Sequence, residues 1–167
     1  MSAGSAADIR PGLALFGTSA DPPTAGHRAL LAGLADTYGQ VATWASDNPF
    51  KQHGASLAQR ATLLQRLVGD LADPRISLQQ ELSSPRALTT LERAEALWPG
   101  SELVFVVGGD LAAQVPRWYR AEELLRRCRL AVVPRQGFTL ETEALEELQR
   151  LGGRPEVLDL PIPATAS

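Results

Sequence analysis

Five consecutive apolar residues, Leu103, Val104, Phe105, Val106 and Val107, end on Gly108 and Gly109. An unbroken run of β-branched and aromatic side chains has no polar face to turn to water. It therefore reads as a strand covered on both sides, the usual condition of a strand in a parallel sheet. Parallel strands need long crossovers, most often helices, and the rest of the chain supplies both kinds of segment. Residues 13–16, 41–45 and 130–134 are strand-like, residues 75–80 weakly so, and a last strand is expected in the tail that begins at Pro155. Between them, apolar residues recur at helical spacing. Leu30, Leu31 and Leu34 form one such set, stopped by Gly39, and Leu57, Ala61, Leu64 and Val68 form a second. Leu88, Leu91, Ala94, Leu97 and Trp98 form a third, stopped by Pro99-Gly100; Leu140, Ala144, Leu145, Leu148 and Leu151 form another. Short helical pieces are expected at residues 111–115 and 121–127, with a turn between them. Trp44 and Trp98 are expected in the core.

Strands alternating with helices imply βαβ units and right-handed crossovers. The expected fold class is α/β, a Rossmann-like doubly wound parallel sheet with helices on both faces. The length of 167 residues suits one domain with a substantial core. That domain is expected over residues 12–167, behind a small, polar, flexible lead-in of residues 1–11. A net charge of −3 argues against a broad nucleic-acid-binding face. No apolar run reaches the roughly 18–20 residues of a membrane span, and the opening residues lack the pattern of a signal peptide. Cys128 is the one cysteine, so no internal disulfide can form and a reducing cytoplasm is expected. Its place at the head of an apolar run reads as a buried small residue rather than a nucleophile.

Ligands of such sheets bind beyond the C-terminal strand ends, near the reversal of strand order. The unusual segments fall there: GTSADPPTAGH (17–27), SDNPFK (46–51), GGD (108–110) and PRQGF (134–138). A plain strand-to-helix connection needs about two to six residues; the first of these is longer and crowded with hydrogen-bonding groups. Gly17 allows close backbone approach, and a helix starting near Gly26 and His27 offers free amides and the positive end of its dipole. A phosphate suits that corner. The pattern is neither a P-loop nor a dinucleotide fingerprint. Within it, His27 is either a phosphate donor or a capping histidine, and Thr24 either a donor or a turn hydroxyl.

Thr24-Ala25-Gly26-His27, behind a strand and the GTSADPP stretch, resembles the HxGH-type loop of nucleotidyltransferases. VVGGDLAAQVPRWYRAEELL, VVPRQGF and SDNPFK are similar, in order and approximate spacing, to segments of the bacterial nicotinate-nucleotide adenylyltransferases. The resemblance covers about residues 13–163. It implies transfer of an adenylyl group from ATP to nicotinate mononucleotide, giving deamido-NAD and pyrophosphate without a covalent intermediate. It further implies that His27 and Thr24 act on the reacting phosphates, and that Gly17, Thr18, Ser19, Gly108, Asp110 and Arg135 join His27 in holding ATP. Asp110 would accept the ribose hydroxyls and Arg135 would meet the adenine side. Asn48, Lys51, Arg86 and Trp118 would hold the mononucleotide: Asn48 and Lys51 at its 5′-phosphate, Trp118 stacked on its pyridine ring. Mg2+ would ride on ATP phosphates and water, with no dedicated protein ligands.

Three departures accompany the match. Thr24 stands where this family usually has His; Thr is usual there in the related pantetheine-phosphate adenylyltransferases. Arg86 and Ala87 replace an aromatic and a hydroxyl in the S-Y-T-x-x-T-L segment. The sequence ends at Ser167, where the family's I-S-S-T-x-x-R phosphate-gripping segment would begin, so that segment is expected to be lacking. The alternatives are a pantetheine-phosphate adenylyltransferase and a nucleotide-binding protein with little turnover.

Overall fold

The computed structural model describes residues 9–20, 24–46, 54–134 and 142–160. In chain order the elements are β1 (Leu13–Thr18), α1 (Ala25–Tyr38), β2 (Val41–Ala45), α2 (Leu57–Leu71), β3 (Ile76–Leu78) and α3 (Ala87–Leu97). They are followed by β4 (Leu103–Gly108), α4 (Gly109–Ala112), α5 (Ala121–Arg127), β5 (Arg129–Val133), α6 (Thr142–Arg150) and β6 (Pro155–Val157). The strands make one sheet in the order β3-β2-β1-β4-β5-β6, every pair parallel. The expected doubly wound sheet is what forms.

Its two faces bury different helices. Leu30, Leu31 and Leu34 of α1 and Leu67 of α2 pack with Phe16, Val104 and Val106 on one face. Leu88 and Leu91 of α3, Leu124 and Leu125 of α5 and Leu148 of α6 pack with Leu15, Phe105 and Val107 on the other. Alternate residues of β1 and β4 thus point into separate cores, as the two-residue period of a strand requires. No described helix is long and apolar enough to cross a membrane. Cys128 is buried, and its thiol is pushed up to about 12 by burial, so it is an inert packing residue.

Helix boundaries follow local chemistry. Gly39 ends α1 in the left-handed conformation at φ 83°, where glycine carries no Cβ penalty. The Ser56 hydroxyl accepts the Gln59 N–H, while Gln59 Oε1 accepts the Ser56 N–H, so a capping box opens α2. Two expectations change. The weak strand at 75–80 closes after Leu78, because Gln80 turns into a 3-10 helix and offers its side-chain amide to β2 instead. Its Oε1 accepts the Ala45 N–H and its Nε2 donates to the Ala45 carbonyl, both at 2.9 Å, replacing a ladder partner. Leu97, expected on the buried face of α3, is 45% exposed; the helix ends there and Trp98 packs against the core in its place.

At the turn before β3, Arg75 grips Asp73 at 2.7 Å and Asp36 at 3.0 Å. The Arg75 guanidinium and amide hold the Asp73 carboxyl at about 2, below its ordinary 3.8. A depressed carboxylate stabilises the fold fully above its unfolded value and loses that contribution as pH falls through the folded one. Asp73→Asn should therefore lower Tm at pH 7 by roughly 1–3 °C, as suits a largely solvated pair. Melting curves of both proteins across acid pH should draw together from about pH 4 towards pH 2; a constant gap would refute the assignment.

Candidate active site

β1 and β4 part company midway. They pair only over residues 13–15 and 103–105. Beyond that point residues 16–18 of β1 stay with β2, and residues 106–108 of β4 stay with β5. The divergence falls where strand order reverses, so a crevice opens between the C-terminal ends of these two strands, the place where α/β sheets bind ligands. Gly17, Thr18 and Ser19 lie on one wall, Gly108 and Asp110 on the other.

Behind the first wall α1 begins at Ala25, with Thr24 as its N-cap in extended conformation. The Thr24 N–H donates to His27 Nδ1 at 2.8 Å, and Thr24 Oγ1 lies 3.0 Å from the same nitrogen. An Nδ1 that accepts an amide proton leaves the ring proton on Nε2. His27 is therefore set as an Nε2–H donor, fixed in orientation by its own helix cap. It is only 2% exposed, so the ring sits within the corner rather than on the surface. Capping and donation, alternatives in the sequence, are both compatible with this geometry.

Gly17 has a reason the sequence does not show. A Cβ there would meet the Trp44 indole at 2.6–2.9 Å, because the ring of the neighbouring strand occupies that space. Gly17→Ala should cost about 2 kcal/mol through overpacking. In a Trp44→Leu background the penalty should fall below about 0.5 kcal/mol. Urea denaturation of the four proteins measures both, and an undiminished penalty would show that the indole is not the obstacle.

Sequence reading does not single out Arg60, and the structure makes it the most buried charge near the crevice, at 2% exposure. From α2 its Nη1 donates to the Ser19 carbonyl at 3.0 Å and the Ser46 carbonyl at 2.8 Å, and its Nε to the Ala55 carbonyl at 3.2 Å. One guanidinium thus ties the chain leaving β1 to the chain leaving β2 and to the lead into α2. Ala20, next to Ser19, is held at φ 49° with its methyl buried against Ala45 and Leu64, a strained backbone at the edge of a site. The available sequence signal is position: Arg60 falls on the Leu57 to Leu64 stripe, where an aliphatic residue is expected.

On the opposite wall Gly108 caps the short α4, and Asp110 lies exposed in its first turn. The carboxylate makes no hydrogen bond to another described residue and is open to hydroxyl donors. Phe105 meets Trp44 edge-on at 6.4 Å and Trp118 edge-on at 6.2 Å. Trp118 is thereby packed on one side and only half-buried. Arg86 is exposed at the head of α3, its guanidinium carbon 4.0 Å from the centre of the Tyr119 ring. Asn48, Lys51 and Arg135 lie outside the described residues. Among the described residues no three His, Cys, Asp or Glu side chains gather as metal ligands.

The start of α1 with its Nε2–H imidazole and the exposed Asp110 carboxylate thus both lie at the end of the sheet where α/β proteins bind their ligands. Comparison with known proteins agrees. Residues 15–152 match the model of the cytidylyltransferase-like family. A Synechocystis protein described as a probable nicotinate-nucleotide adenylyltransferase is 42% identical over 157 residues, 88% of this chain and 78% of that one. A Chlorobaculum tepidum protein of the same description is 35% identical over 73% of this chain and 67% of its own length. Among solved structures, Plasmodium falciparum nicotinic acid mononucleotide adenylyltransferase complexed with NaAD superposes with a TM-score of 0.73. It shares 16% identity, and the match covers 91% of this chain and 76% of that one. The chain belongs to the cytidylyltransferase-like family, among its nicotinate-nucleotide adenylyltransferases.

Proposed function

We infer that the chain transfers the adenylyl group of ATP to nicotinate mononucleotide, producing deamido-NAD and pyrophosphate for NAD biosynthesis. The observation that carries this reading is the parting of β1 and β4, with the His27 helix start on one wall and Asp110 on the other. It is made in a chain whose relatives bear that enzyme name.

In the reaction a 5′-phosphate oxygen of the mononucleotide bonds to the α-phosphorus of ATP, and the bond from that phosphorus to the bridging oxygen of pyrophosphate breaks. No protein atom becomes covalently attached. The work left to the protein is positioning, and donors aimed at charge that grows on the α-phosphoryl and leaving groups. His27 Nε2–H and the first amides of α1 supply such donors, and Thr24 adds a hydroxyl. Gly17, Thr18, Ser19 and Gly108 present backbone to the nucleotide. Asp110 accepts from the ribose hydroxyls. Trp118 offers an indole face to the pyridine ring, and Arg86 also belongs to the mononucleotide side. Arg135 at the adenine side, and Asn48 and Lys51 at the mononucleotide phosphate, complete the assignment by resemblance. Mg2+ would ride on the phosphate oxygens and water and would supply charge neutralisation there. A cytoplasmic setting belongs to the same reading.

Pyrophosphate release with ATP and nicotinate mononucleotide, with deamido-NAD identified in the product, tests it. Release only with phosphopantetheine, the acceptor that Thr24 would suit, would transfer the reading to the neighbouring family. ATP binding without release from either acceptor would leave a nucleotide-binding protein.

A further inference from the structure

The backbone groups at the exit of β2 are held by three different parts of the chain. The Thr18 carbonyl of β1 accepts the Ser46 N–H at 2.8 Å, and Arg60 of α2 donates to the Ser46 carbonyl. Both groups of Ala45 go to Gln80, whose side-chain amide meets them with two bonds of 2.9 Å. The ladder itself does not reach so far. β3 pairs with β2 only up to Thr43 and Leu78, and the Gln79 N–H, donating to the Thr43 carbonyl, is its last rung. Gln80 adds two more from a 3-10 turn, because a primary amide offers one donor and one acceptor at the spacing of a peptide edge.

Residues 79–83 are fastened equally well at their other end, to α3. The buried Thr90 hydroxyl donates to the Leu82 carbonyl at 2.5 Å. Arg93 Nη1 donates to the Glu81 carbonyl at 3.1 Å and the Ser83 carbonyl at 2.7 Å. Leu82 is fully buried in the same cluster as Leu88 and Leu91. The segment is therefore a strut, tied to the exit of β2 by Gln80 and to α3 by Thr90 and Arg93.

What the strut joins gives it a use. Ser46 opens the segment that carries Asn48 and Lys51, and Arg86 is the N-cap of α3; these three residues stand on the mononucleotide side of the reading above. Gln80 makes no bond to residues 17–19 or 108–110, the walls given to ATP. In this it differs from Arg60, which also holds the Ser19 carbonyl.

We propose that Gln80 is a positioning residue for the acceptor: by tying the exit of β2 to α3 it fixes the span between the two segments that hold the mononucleotide. The inference rests on the adenylyl-transfer reading. Cutting the tie leaves each segment intact and lets their separation vary, so part of the binding free energy goes into restoring it. That loss falls on the mononucleotide and spares ATP.

The test is KM for each substrate, with kcat, in the wild type, Gln80→Leu, Arg93→Met and the double variant, at a temperature where melting curves show all four fully folded. Gln80→Leu should raise KM for nicotinate mononucleotide about tenfold, with KM for ATP within about twofold and kcat within about threefold. Arg93 is exposed at the far end of the strut, so Arg93→Met spares the core and should raise the same KM about threefold. Both changes release one strut, so the double variant should stay near about tenfold rather than reach the product of about 30-fold. An unchanged mononucleotide KM in Gln80→Leu overturns the proposal while leaving adenylyl transfer intact. Equal rises in both KM values make Gln80 a general support of the fold and overturn it too. A fully multiplicative double variant overturns the single strut. A wild type that does not join adenylyl to the mononucleotide overturns the underlying reading, and this proposal with it.

Discussion

His27→Ala should lower kcat by about 10²–10³-fold, the range for removing one fixed donor from a developing oxyanion. The same change should cost about 1 kcal/mol of stability, because the Thr24 N–H loses its acceptor at the start of α1. These effects have different origins and can be separated. Glutamine at the third position of a helix reaches back to the N-cap amide as a capping box does, so His27→Gln should recover most of the lost Tm. It cannot place a ring N–H where Nε2 is, so kcat should stay at least about 50-fold below the wild type. Recovery of both by glutamine would reduce His27 to a helix cap. Near-normal turnover in His27→Ala would remove it from the chemistry altogether.

Legibility differed by the range of the physics involved. The residues that made α/β architecture readable are those whose burial is fixed by neighbours in the chain: the 103–107 run and the spacing of Leu30, Leu31 and Leu34. Strand order is another matter. That β1 lies between β2 and β4, and leaves β4 after Leu15, is decided by pairing across the sheet, and no local pattern records it. The end of β3 turned on a side chain, Gln80, imitating a strand. Gly17 reads in the sequence as room for a ligand to approach the backbone, whereas the group that occupies the space of its missing Cβ in the structure is Trp44, 27 positions away. For the site, the helix start near Gly26 and His27 was legible because a turn-rich segment ahead of a helical apolar spacing marks one. The roles of Asp110 and Trp118 came through resemblance, since a carboxylate or an indole at a strand end is ambiguous by itself. Arg60 escaped because helical spacing marks which positions are buried and says nothing about why a charge would be among them.

That charge carries the other large expected effect. Arg60→Met keeps most of the aliphatic length along the Leu57 to Leu64 stripe and deletes the donors, so the packing loss is small. What is left behind is three main-chain carbonyls, Ser19, Ser46 and Ala55, that the guanidinium had satisfied. An acceptor stripped of its partner away from water costs about 1–3 kcal/mol. Relief from holding a buried cation offsets part of the sum, and a net loss of about 3 kcal/mol follows. At this chain length that is a drop in Tm of roughly 6–12 °C. Function should suffer beyond stability, because the lost bonds fix the spacing between the chain leaving β1 and the chain leaving β2. Under conditions where the variant is fully folded, KM for both substrates should rise about tenfold. Arg60→Lys retains the charge and reaches fewer of the three carbonyls, so it should fall between the two proteins in Tm and in both KM values. Should Arg60→Met melt within 1–2 °C of the wild type, those carbonyls must have other partners. If it melts low but binds both substrates normally, the guanidinium supports the fold alone, and the two strand ends keep their spacing without it.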